Sequence, residues 1–160
     1  ALVPRIQAAH QRIASGGEEL SVEYVPSVKN DFAADLECIR ERERKYGTTI
    51  IGPHRDEIAL LLHDRSAADY ASEGQKRTIA IALKIAQAEH LTEVHGVPPV
   101  LLIDDVMGEL DEQRRQGFLP LLEQCGSGRG QVFMTCTEEN WPRELGRTLQ
   151  RWQVKGGTIS

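Results

Sequence analysis

Two groups of residues in this chain have the types and spacing for phosphate and metal chemistry. The first is Ser72-Glu73-Gly74-Gln75, which opens a long apolar segment. A Ser followed three residues later by Gln is a capping box: the hydroxyl accepts from the Gln backbone N–H, and the Gln side chain reaches back. A plain helix start would explain those two residues. Gly74 is less easily explained, because Gly in a helix costs about 1 kcal/mol against Ala. Without a Cβ, a ligand can approach the backbone closely there. The exposed N–H groups and the helix dipole then favour an anion, and Lys76 and Arg77 add positive charge.

The second group is Val100-Leu101-Leu102-Ile103-Asp104-Asp105, an apolar run ending in two carboxylates. Adjacent acids after such a run are costly to bury unless they meet a cation or a donor. In open α/β sheets ligands bind at the carboxyl ends of strands, where an acid can hold Mg²⁺. The plainer alternative is a solvated loop pair. Asp111, taken alone, is a helix N-cap. Gly52-Pro53-His54-Arg55-Asp56 offers a guanidinium that can fork onto a phosphate, or else a turn with a solvated Arg55–Asp56 pair. Gly126-Ser127-Gly128-Arg129-Gly130 follows a helix and precedes a strand, the reverse of a phosphate loop, and reads as a connector. A loop of the form G-x-x-x-x-G-K-[ST] is absent from the sequence, which contains no Gly-Lys pair.

The elements that must position these groups can be read from periodicity. Residues 2–14 carry Ile6, Ala9, His10 and Ile13 at helical spacing, with Ser15-Gly16-Gly17 as the stop. Residues 19–25 alternate as a strand that ends at Pro26. Residues 30–45 predict a charged helix with Phe32, Leu36 and Ile39 on one stripe, broken by Gly47. Short strands are expected at 48–51 and 57–63, with a turn at 64–66. The long helix over 73–95 is apolar on more than one face, as a buried helix is. Strand 100–104 has the continuous apolar run of a parallel strand buried on both faces. A helix from Asp111 to about 124 with Pro120 inside it, a strand at 131–135, a short helix near 138–146 and a strand near 149–154 complete the chain. Strand–helix alternation from residue 100 onward predicts an α/β layered fold.

Composition narrows the class. At 160 residues, 40% of them hydrophobic, the chain can build its own core. The net charge of −5 gives no overall basic signal for nucleic acid, though a local patch is compatible with it. Cys38, Cys125 and Cys136, odd in number and far apart, fit reduced thiols and neither a disulfide framework nor a zinc site. No run approaches the ~20 apolar residues of a membrane span, and the N-terminus lacks the pattern of a secretory leader. The sequence starts without Met, inside a helical pattern, and reads as part of a longer protein.

Taken together, these motifs resemble those of the ABC-type ATPase heads that act on DNA. Residues 70–78, Tyr-Ala-Ser-Glu-Gly-Gln-Lys-Arg-Thr, resemble their signature motif. Val100–Asp105 resembles the Walker B strand, and Gly108-Glu109-Leu110-Asp111 the D-loop. Thr49-Ile50-Ile51-Gly52-Pro53-His54-Arg55-Asp56 narrows the resemblance to the RecF family. It is most specific from 47 to 136, while residues 1–45 resemble the end of a helical arm returning to the head. The implied fold is the α/β C-terminal lobe of a P-loop ATPase head, over residues 46–160, with the Walker A half absent. The implied function is that of a bacterial, cytoplasmic mediator of recombination in DNA repair, replication and the SOS response. Such a protein would be an ATP- and Mg²⁺-dependent homodimer that binds single-stranded and junction DNA and works with RecO and RecR.

The resemblance also assigns roles. Ser72, Gly74 and Gln75 would meet the γ-phosphate of ATP held by the opposite subunit. Asp104 would hold Mg²⁺. Asp105 stands where many such heads carry a Glu base, and would be the catalytic residue of a slow hydrolase. Asp111 would cross the dimer interface, while the phosphate role of Arg55 rests on its guanidinium chemistry. The segment matching the switch His of ABC transporters is Met134-Thr135-Cys136-Thr137, which has no His and leaves Thr135 and Thr137 as candidates for that role. Without Walker A the chain alone would hydrolyse ATP poorly. The alternatives are the head of another SMC-like or overcoming-lysogenization-type ATPase, and a non-catalytic fragment that binds DNA or a partner.

Overall fold

The structure is a computed structural model and describes residues 2–14, 17–28, 31–126, 130–137, 141 and 149–160. Helix α1 (Leu2–Ala14) buries the stripe expected from its spacing: Ile6, Ala9, His10 and Ile13. Strand β1 (Leu20–Val25) pairs antiparallel with β2 (Glu57–Leu62), from Leu20↔Leu62 to Val25↔Glu57. His63 and Asp64 both take positive φ, which is how a two-residue hairpin turn matches strand twist. They lead into β3 (Arg65–Ser66), antiparallel to β2. The turn therefore sits one residue earlier than the sequence predicts. A short helix, α3 (Ala67–Tyr70), follows.

Between β1 and β2 runs α2 (Phe32–Tyr46), capped by Asp31 and closed by Gly47 in the left-handed region. Not one of its residues is buried, so the Phe32–Leu36–Ile39 stripe has no core to face. The expected strand at 48–51 does not form. Its backbone is drawn into other bonds: Ile50 N–H donates to the Glu43 carboxylate at 2.7 Å, and Gly52 N–H to the Ser27 hydroxyl at 3.0 Å. A 3-10 turn, Pro53–Arg55, then feeds β2.

Helix α4 (Glu73–His95) has the boundaries expected, with Gly96 as its left-handed stop. It lies between two cores. Ile79 and Ala86 join Ile6, Leu20, Leu62 and Ala67 against the antiparallel sheet. Ile81, Ala82 and Ile85 join Ala9, Ile13, Leu101, Phe118 and Leu122 on the other side. That two-sided burial accounts for an apolar pattern wider than one helical stripe. The second core is roofed by α5 (Glu112–Gly126) and by β4 (Val100–Ile103) paired parallel with β5 (Gln131–Met134) in the register Leu101↔Val132, Ile103↔Met134. Gly117 lets α5 press on α1: a Cβ there would lie 2.2 Å from the Arg12 carbonyl oxygen and 2.9 Å from Ile13 Cα.

One expectation about β4 fails. Its run is apolar, yet Leu102 is 76% and Val100 56% exposed, so only one face is buried. The cause is local: among the described residues the sheet has two strands, and no element covers its outer face. The C-terminal segment forms a hairpin, β6 (Val154–Lys155) with β7 (Thr158–Ile159), a little later than the strand expected near 149–154. Trp152 stacks on Phe133 with ring centroids 6.4 Å apart. Most of the Gly126–Gly130 connector and the helix expected near 138–146 lie outside the described residues.

Candidate functional site

The parallel register of β4 and β5 decides what stands beside the acid pair. Ile103 pairs with Met134, so the next residues along, Asp104 and Thr135, meet at the carboxyl ends of the two strands. Thr135 N–H donates to the Ile103 carbonyl at 2.9 Å. Its hydroxyl donates to Asp104 Oδ1, and its oxygen accepts the Asp105 N–H at 3.0 Å. One threonine thus fixes the carboxylate of the first acid and the backbone of the second.

Asp105 adopts φ 47°, ψ 29°, a left-handed conformation that Asp tolerates better than most side chains. It turns the chain into the 3-10 turn Val106–Glu109. Both acids are exposed. The fit to a hard cation is direct, if partial. Mg²⁺ is commonly held by one or two carboxylates with phosphate oxygens and water completing the shell. Asp104 has one oxygen, Oδ1, engaged by Thr135. No cluster of three or more potential ligands occurs among those residues, so the phosphates, water or another segment would supply the rest.

The start of α4 forms the full capping box. Ser72 N–H donates to Gln75 Oε1 at 2.9 Å, and Gln75 N–H to the Ser72 hydroxyl at 3.3 Å. The Gln75 amide is engaged at its other end too, donating to Glu18 at 3.3 Å. Asp111 caps α5, accepting the Arg114 N–H at 2.8 Å and ion-pairing with the Arg114 guanidinium. The backbone N–H of Arg114, followed by its guanidinium, holds the Asp111 carboxyl below the usual carboxylate range. Arg114 donates onward to Glu18 at 2.7 Å. A second bridge, the ion pair of Arg77 with Glu109, also joins the start of α4 to the turn before Asp111.

Ser72, Gly74, Gln75 and Asp111 therefore belong to one connected group, and Asp104, Asp105 and Thr135 to a second. Arg55 joins neither: it donates to the Thr49 carbonyl at 3.1 Å and to the Thr48 hydroxyl at 3.5 Å. Its neighbour Asp56 does not pair with it either. Asp56 accepts from Tyr24 and from the Ser27 N–H at 2.7 Å. The Tyr24 hydroxyl and then the Ser27 amide depress the Asp56 carboxyl, while the same bond raises the Tyr24 phenol.

Sequence reasoning missed Glu18 and Arg114. Arg114 was findable, since it stands three residues after Asp111, the spacing of a helical ion pair. Glu18 meets its partners across 57 and 96 residues, and no local pattern announces that.

No family model matches the chain. It is 39% identical over 146 residues to the DNA replication and repair protein RecF of Rippkaea orientalis, covering 85% of this chain and 37% of that protein. It is 41% identical over 159 residues to RecF of Moorella thermoacetica, covering 98% and 42%. The chain thus spans about two-fifths of the length of these relatives. Among solved structures, it is similar to the recombination mediator protein RecF-ATPrS in the RecFOR pathway, with TM-score 0.69, 27% identity, and coverage of 99% of this chain and 43% of that one. A RecF-ATP structure in the same pathway, at 24% identity and TM-score 0.70, supports the fold.

Proposed function

This chain belongs to the RecF family, matching the C-terminal portion of its members, and from that premise we propose that it is the signature-bearing and Walker B part of an ATP-dependent recombination mediator. The full protein clamps ATP between two heads and couples that state to DNA in repair and replication, together with RecO and RecR. Residues 46–160 are the head's C-terminal lobe, and residues 1–45 the end of the arm returning to it. No described helix is long and apolar enough to cross a membrane.

The observation that carries this reading is the Thr135–Asp104–Asp105 arrangement at the carboxyl ends of two parallel strands. That is where ligands bind in open α/β sheets. Asp104, oriented by Thr135, would hold Mg²⁺, which when bound would supply neutralisation of phosphate charge. Asp105 accepts the proton of the attacking water. Ser72 and the Gly74 backbone, at the N-terminus of the 23-residue α4, offer donors to the γ-phosphate on the opposite head. The exposed Leu102 face, and the edges of β4 and β5 that are unpaired among the described residues, support a further element of the full protein docking there.

The decisive experiment compares Asp104→Asn and Asp105→Asn in the full-length protein. Asp104→Asn weakens Mg²⁺–ATP binding and hydrolysis together. Asp105→Asn spares binding and slows turnover by ~10²–10⁴-fold, the usual contribution of a general base. Asn also tolerates the left-handed conformation, so this variant tests chemistry and not backbone strain. Parental turnover in the Asp104 variant sinks the Walker B assignment. Equal loss of binding in both sinks the division of roles.

A further inference from the structure

Glu18 lies between α1 and β1, outside every motif, yet its carboxylate is the hub of a polar cluster. Oε1 accepts both Gln75 Nε2 at 3.3 Å and Arg114 Nη2 at 2.7 Å. Its side chain is 16% exposed, and that of Arg114 19%. The other oxygen, Oε2, faces the buried His10 Nε2 at 3.6 Å. Both of those atoms are buried without a hydrogen bond. Arg114 continues to Asp111 through its backbone N–H and its guanidinium. It also lies against the turn that bears Gly74, where a Cβ would come 3.8 Å from Nη1.

Resting on the reading above, we propose that Glu18 is a positioning residue that, through Arg114, couples the Ser72–Gln75 turn to Asp111. One carboxylate oxygen holds both the Gln75 amide and the Arg114 guanidinium. Because Gln75 Oε1 is already bound to the Ser72 N–H, the amide is a strut fixed at both ends. Arg114 binds both oxygens of Asp111, so a shift of Asp111 moves the guanidinium on Glu18 and the strut with it. The two segments that would face a second head are thereby set in register from behind, by a residue that touches neither nucleotide nor partner. Charge-assisted bonds at such low exposure are stiff and poorly screened, which suits this role better than surface ion pairs would.

The test uses the full-length protein and its ATP-driven association, followed by sedimentation, beside nucleotide binding to the monomer and a thermal melt. Glu18→Gln keeps shape and removes charge. It is expected to bind nucleotide as the parent does and to associate about tenfold or more weakly, within the range of coupling effects between sites. The double variant Glu18→Gln/Arg114→Lys should lose no more than Glu18→Gln alone, because the two act as one unit. A purely structural role would lower the melt and leave association below the melting range unchanged. Should Glu18→Gln fail to fold, Glu18→Asp keeps the charge but withdraws it by one methylene, and weakened association with a parental melt is then expected. Parental association by a folded Glu18 variant, while Ser72→Arg is defective, overturns the coupling and leaves the site reading standing. Parental association by Ser72→Arg overturns the site reading, and the coupling with it.

Discussion

The Thr135 hydroxyl donates to the Asp104 carboxylate while accepting the backbone N–H of Asp105. The acid pair is therefore held by the neighbouring strand and not by its own loop. A hydrogen bond to a charged group contributes about 1.5–3 kcal/mol. Thr135→Val keeps the β-branched shape and removes the bond. In the full-length protein it should slow ATP turnover by ~10–100-fold, with Thr135→Ser restoring most of it. Parental turnover in Thr135→Val, read by phosphate release, would show that Asp104 needs no such support. The same bond leaves Thr135 with its donor committed, so service as a γ-phosphate sensor would require Asp104 to release it.

Ser72 has two separable roles with different signatures. As a cap, its loss costs only about 0.5–2 kcal/mol of stability. If it meets ATP on an opposite head, Ser72→Arg fills the space meant for the phosphate. The variant should then melt nearly as the parent, bind nucleotide as a monomer, and fail to dimerise with ATP. Sedimentation with and without ATP decides between the two.

Gly117 tests the packing of α1 on α5. An added Cβ would lie 2.2 Å from a backbone oxygen of α1, which cannot rotate away as a side chain can. Gly117→Ala should destabilise by about 1–3 kcal/mol or more, as overpacking does. Gly126→Ala is the control: its Cβ would meet Val132 Cγ2 at an ordinary 3.6 Å, with an expected change within about 0.5 kcal/mol. Denaturant melts of the two variants should differ in midpoint, and equal midpoints would refute the tight α1–α5 contact.

His10 gives the cluster behind α4 a pH dependence. Burial lowers its pKa from the ordinary 6.5, against the attraction of Glu18 and with the repulsion of Arg114. Between the folded value and 6.5 the unfolded chain binds a proton that the folded chain refuses. Stability from this group is thus full above 6.5 and is lost as pH falls below it. Thermal midpoints should drop on acidification from about pH 7.5 to about 5.5, and His10→Gln should flatten that slope. An unchanged slope would assign the acid sensitivity to other groups.

Elements with a strong period and explicit stops were legible in the sequence. Helix α4 has a capping box, a two-sided apolar pattern and Gly96, and each reports on local chemistry. Thr and Ile favour strands and so predict one at 48–51, whereas the backbone there bonds to Glu43 and Ser27, which no local window contains. The same limit applies to the site. Asp104, Ser72 and Asp111 stood out through their neighbours in sequence. Thr135 is a sensor candidate by its place in the sequence, but its hold on Asp104 and Asp105 emerges only once β4 and β5 are set side by side in register. Glu18 emerges only once α1, α4 and α5 are packed together.

The uncovered face of β4 and β5 has a practical consequence for handling this chain in isolation. Leu102 and Val100, beside the Phe133 that Trp152 partly covers, present an apolar surface on strands whose outer edges carry unpaired N–H and carbonyl groups among the described residues. Such an edge is a template for pairing between molecules, and an apolar patch beside it favours that encounter. A net charge of −5 opposes it weakly and less so as salt screens the charge. Self-association should then rise with protein concentration and with ionic strength, by pairing at this edge.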